Sequence, residues 1–67
     1  IDYVQCQNVA KQYQNRAIVS KKQFEYELAI QLYKYATYWD MANPVFANQT
    51  AELSNILKNE ISNAKAA

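Results

Sequence analysis

Apolar residues recur along this chain at the spacing of one helix face after another. Turned about 100° per residue, the stretch from Asp2 to about Ala17 places Tyr3, Cys6, Val9, Ala10, Tyr13 and Ala17 on one side. Gln5, Asn8, Lys11, Gln12 and Asn15 fall on the other, the pattern of an amphipathic helix with a single buried stripe. Asp2 stands near its start, the end of the helix dipole that favours negative charge. A third stretch, about Pro44 to Ala64, aligns Phe46, Thr50, Leu53, Ile56, Leu57, Ile61 and Ala64 against Asn48, Asn55, Lys58, Asn59 and Ser62. It too carries one stripe, and the tail Lys65-Ala66-Ala67 is expected to fray.

The middle stretch differs, because it is apolar on two sides. Phe24, Leu28, Leu32, Tyr35, Trp39 and Ala42 form one stripe, while Tyr26, Ala29, Ile30, Tyr33, Ala36, Thr37 and Met41 fall opposite. Only a thin sector with Glu27, Gln31 and Lys34 is polar, so this helix must be covered nearly all round. Ser20 followed by Gln23 has the pattern of a capping box, and Val19 with Phe24 that of a hydrophobic staple, which predicts a helix start at Lys21. Asn43-Pro44 ends it, since proline disfavours α geometry in the residue before it. Asn43 then caps the third helix, with Pro44 at its first position.

These signals predict helices over about 2–17, 21–42 and 44–64, with connections so short that consecutive helices fold back on one another. The fold class expected is all-α: a compact up-down-up three-helix bundle with a long central helix, as one domain over 1–67. Two packings are open to it. In a flat layer the outer helices cover opposite sides of the middle one. In the compact bundle, which buries more per residue and is preferred, both pack on Phe24, Leu28, Leu32, Tyr35 and Trp39. The face of Tyr26, Ile30, Tyr33, Thr37 and Met41 is then left over, and aromatics and methionine are the residues enriched at the centres of protein interfaces.

Length strengthens that expectation. A chain of 67 residues buries only about 60% of its unfolded surface, and chains this small lean on disulfides, metals or self-association. One cysteine and no histidine exclude an internal disulfide and the usual zinc ligand sets, so self-association is the support left. Cys6, in the stripe of the first helix, reads as a buried thiol, with an intermolecular disulfide as its alternative.

Catalytic chemistry is poorly provided for. Histidine is absent, the six acids are scattered, and Glu25 and Glu27 diverge by about 200° around a helix, so they form no dyad. No catalytic residue, cofactor or metal is assigned. The net charge of +1 gives no global field for nucleic acid or an anionic membrane, and no apolar run approaches the ~20 residues of a membrane span. Lys11, Arg16, Lys21 and Lys22 gather in sequence around one end. Solvated charges flanking a turn is the preferred reading, and a phosphate or nucleic-acid patch the alternative. Asn48 and Gln49 could read adenine edges from a helix-turn-helix, but the third helix holds no cation before Lys58. Asn48-Gln49-Thr50 matches the glycosylation sequon by chance, within a predicted helix and with Thr50 on its apolar side.

The chain begins at Ile1 rather than methionine, which points to a processed product or an excised segment. Abundant Asn, Gln and Tyr lean toward an exported or virion-associated assembly protein. The run Leu57-Lys58-Asn59-Glu60-Ile61 resembles the last helix of bacterial albumin-binding three-helix modules, and nothing further is carried from it. The expected function is non-enzymatic protein–protein association, first with itself, through Tyr26, Ile30, Tyr33, Thr37 and Met41. A small DNA-binding module and an exported factor with a heterologous protein partner are the alternatives.

Overall fold

The computed structural model describes residues 2–66, and Ile1 and Ala67, at the ends of the chain, lie outside them. It is all-α, with three helices: α1 (Tyr3–Lys22), α2 (Tyr26–Trp39) and α3 (Pro44–Ala66). The short connections turn the chain back twice, giving the up-down-up order.

Asn43 caps the start of α3 as expected, and Asp2, expected only to favour the helix dipole, also caps the start of α1. The Val4 N–H donates to Asp2 Oδ1 at 2.9 Å, and the Val45 N–H donates to Asn43 Oδ1 at 3.0 Å. Pro44 takes the first position of α3, where its missing N–H would have had no helical partner.

The end of α1 departs from expectation. Ser20 does not start a helix: α1 runs through Ile18-Val19-Ser20 to Lys22, and the buried Ser20 hydroxyl donates back to the Arg16 carbonyl at 3.0 Å. The chain then leaves α1 through two reversed bonds, Phe24 N–H to Lys21 O at 3.1 Å and Glu25 N–H to Ser20 O at 2.9 Å. This is a Schellman motif, whose pivotal residue takes the left-handed conformation normally given to glycine. The chain has no glycine, and Phe24 occupies the position at φ 64°. For a residue with a Cβ this costs roughly 1 kcal/mol or more. The last turn of α1 repays part of it by holding Lys21 and Lys22 at the negative end of the helix dipole.

With Lys21–Glu25 and Asp40–Ala42 outside it, the central helix, expected over 21–42, is not long. At 14 residues α2 is the shortest of the three, beside 20 in α1 and 23 in α3. Of the stripe expected to be buried, Leu32 alone is; the rest of the buried side comes from the opposite set. Ala29, Leu32, Tyr33 and Ala36 are buried, whereas Leu28, Tyr35 and Trp39 are exposed and Phe24 stands in the turn. Steric size decides this. Ala10 and Ala17 of α1, seven residues apart, and Ala29 and Ala36 of α2, also seven apart, are fully buried. Such small ridges let two backbones approach closely, while the bulkier stripe would hold them apart.

Across α2, α3 packs through larger groups. The Tyr33 and Phe46 rings lie 6.5 Å apart, and Leu53 is fully buried, worth about 2 kcal/mol in transfer from water. The Thr37 and Thr50 hydroxyls donate to the Tyr33 and Phe46 carbonyls one turn back, each at 2.9 Å, so neither asks anything of the core.

Both outer helices pack on α2 and far less on each other, so an opening is left between them, in a molecule whose principal extents are 50 × 20 × 12 Å. At 1.5 Å per residue α3 is about 34 Å long and α2 about 21 Å, so the end of α3 overruns its support. Ile61 and Ala64, expected in the α3 stripe, are exposed for that reason. The chain exposes 4983 Å², against about 4,400 Å² for a folded monomer of 7.8 kDa. Surplus surface is thus a property of the whole fold.

Candidate association groove

Because α1 and α3 do not close on each other, a hollow of about 600 Å³ remains between them. Tyr26 and Tyr33 of α2 line it with Ile18 of α1, Val45 of α3 and Phe24 from the turn. Lys21 and Lys22 border it at the end of α1. The strained turn places the Phe24 ring in solvent, 77% exposed, edge-on to Tyr26 at 6.3 Å. A concave apolar surface with a few polar groups at its rim is the form that binding sites take.

The five residues expected to make one exposed face do not do so. Tyr33 is only 2% exposed, because α3 lays Phe46 over it. Tyr26, Ile30 and Thr37 are half-buried. Met41 is 81% exposed, but α2 ends at Trp39, so Met41 belongs to the following turn. Of the five, Tyr26 and Tyr33 alone border the groove. Sequence reasoning missed Ile18, Phe24 and Val45. The signal for Phe24 was available in the absence of glycine, which obliges some bulkier residue to terminate α1.

Burial raises the Tyr33 phenol above its ordinary value near 10, and the Glu52 carboxylate adds to the effect. Burial favours the uncharged form, and a nearby negative charge opposes making another. Tyr33 is therefore a neutral phenol throughout the neutral range.

The other exposed apolar surface is partly self-covered. Along the outer side of α2, Tyr35 leans on Tyr13 at 5.5 Å, the Arg16 guanidinium sits 5.9 Å from the Tyr13 ring centre, and Tyr38 meets Trp39 edge-on at 5.6 Å. Leu28 and Leu32 share a smaller hollow there with Arg16 and Val19.

The four cations near one end of the sequence are not brought together. Lys21 and Lys22 border the groove, Lys11 lines a polar pocket near Asp40, and Arg16 faces the opposite flank of α1. Their spacing explains it, since Arg16 lies about 140° around the helix from Lys11. Cys6 is a half-buried free thiol. Among the described residues no three Cys, His, Asp or Glu side chains gather, and no helix is long and apolar enough to cross a membrane. No family model, curated protein or solved structure matches the chain.

Proposed function

We propose that this chain is a non-enzymatic association module whose groove between α1 and α3 receives a helix from a second copy of itself. The open hollow beside Tyr26 and Tyr33 is the observation that carries the reading. Its floor is apolar, and its walls are held apart by the packing of both outer helices on α2.

The overrun of α3 supplies an occupant of suitable chemistry. Leu57 and Glu60 lie near Phe24, so α3 projects from the same end of the molecule at which Lys21 and Lys22 border the groove. Ile61 is half-exposed there with no neighbouring helix to cover it. Two copies related by a two-fold axis would each lay Ile61 into the other's groove, with Glu60 facing Lys21 and Lys22. Such a contact is isologous and closed, which limits it to a pair.

The test uses exposed positions, so the fold survives. Ile18→Glu combined with Phe24→Glu should leave the helical circular dichroism unchanged and reduce the mass in sedimentation from two chains to one. Unchanged mass in this variant would exclude the groove as the contact.

A further inference from the structure

The groove between α1 and α3 carries side-chain charge of one sign. Lys21, which is half-buried, and Lys22 border it at the end of α1, and no carboxylate lines it. Glu25, Glu27 and Glu60 line a separate hollow that shares with the groove only the edge-on Phe24–Tyr26 pair. Glu52 acts on the Tyr33 phenol without lining the groove. The aromatic pair thus stands between cationic and acidic ground.

Away from the lysines the lining is apolar and long. Tyr26 and Tyr33 lie seven residues apart on α2, which at 1.5 Å per residue makes about 10 Å of groove floor. Ile18 flanks that floor from α1 and Val45 from α3, and the Gln14 and Gln49 carboxamides add neutral groups. The volume of about 600 Å³ falls within the range of small-molecule sites, roughly 300–1,000 Å³.

The matching occupant is aliphatic over that length and anionic at one end. At roughly 1.2 Å per bond of an extended chain, it has about eight to ten carbons. We infer that the groove also takes the anion of a medium-chain fatty acid, its chain lying over Tyr26 and Tyr33 and its carboxylate accepting from Lys21 and Lys22. Burial of the chain supplies most of the affinity, and the lysines select the charge. This deepens the association reading and rests on it, since the ligand carries in one molecule what Ile61 and Glu60 of a second copy would bring. Ligand and second copy therefore exclude each other.

The experiment titrates the full chain with octanoate below its micelle concentration, with octanol carrying the chain alone and acetate the charge alone. Methyl shifts of Ile18 and Val45 in NMR report binding, and sedimentation reports mass. Octanoate should give saturable shifts at both residues, leave the helical circular dichroism unchanged, and convert a particle of two chains to one. Octanol should bind about threefold to tenfold more weakly, and acetate should give no saturable shift. Lys21→Gln combined with Lys22→Gln should bring octanoate to the affinity of octanol. Absence of saturable shifts, octanol binding as tightly as octanoate, a double variant with unaltered affinity, or a two-chain particle saturated with octanoate would each overturn the inference. A chain that sediments singly before octanoate is added would refute the pairing of copies, and the exclusion with it, whereas the shifts decide the anion site in either case.

Discussion

At Asp40–Asn43 the chain turns with a buried carboxylate, an asparagine cap and a proline placed where no N–H is needed. At Gln23–Glu25 it turns through a phenylalanine held in left-handed geometry, and α2 begins at Glu25 without a side-chain cap. The Asp40–Asn43 connection resolves its backbone demands locally. The Gln23–Glu25 connection accepts strain and sets a large apolar ring in water. Strain at an exposed aromatic is retained where the surrounding structure gains from it, and here the ring stands at the mouth of the groove. The Asp40–Asn43 turn is set by its caps, whereas the Gln23–Glu25 turn is shaped by what it presents.

Lys21→Pro gives the largest contrast. Were Ser20 a cap, Lys21 would be a first helical position and proline would be welcome there. In the last turn of α1 proline should instead cost about 3 kcal/mol, seen as a fall in the denaturant midpoint. Asn43→Ala at the other connection should destabilise by about 1 kcal/mol, the usual loss of an N-cap. Phe24→Gly should do the opposite, stabilising the monomer by about 1 kcal/mol while weakening association. A variant that loses on both counts would deny the strained turn its role.

The smallest effect concerns pH. The Tyr33 phenol is raised in the folded state, so its contribution to stability is fully present below pH ~10 and is lost as pH rises through the folded value. Tyr33→Phe should therefore differ little from wild type at neutral pH and fall less steeply in alkaline melts. Parallel alkaline limbs for the two proteins would remove burial of this phenol from the account.

Much of the fold was legible in the sequence. Asp2 and Asn43-Pro44 each satisfy a local backbone demand, so the starts of α1 and α3 could be read from a few residues. The end of α1 could not, because the Schellman motif is recognised by its glycine and this chain has none. Ser20 and Gln23 imitate a capping box, but Lys21 and Lys22 in a first turn would oppose the helix dipole, and that conflict was the readable warning. The buried side of α2 was legible at Leu32 only, for another reason. Hydrophobic size argued for Phe24, Leu28, Leu32, Tyr35 and Trp39, whereas the close approach of two helices selects Ala29 and Ala36. Their match to Ala10 and Ala17 at the same spacing is the sequence signal for it. The groove depends on how far α1 and α3 stand apart, a tertiary quantity that no local pattern encodes.

Whether the overrun of α3 in one copy fills the groove of another can be read by mixing isotope-labelled with unlabelled chain and recording only contacts between copies. Contacts from the Ile61 methyls to Ile18 and Tyr26 across the pair are expected. A sample free of such contacts, sedimenting as a single chain at the same concentration, would refute the pairing.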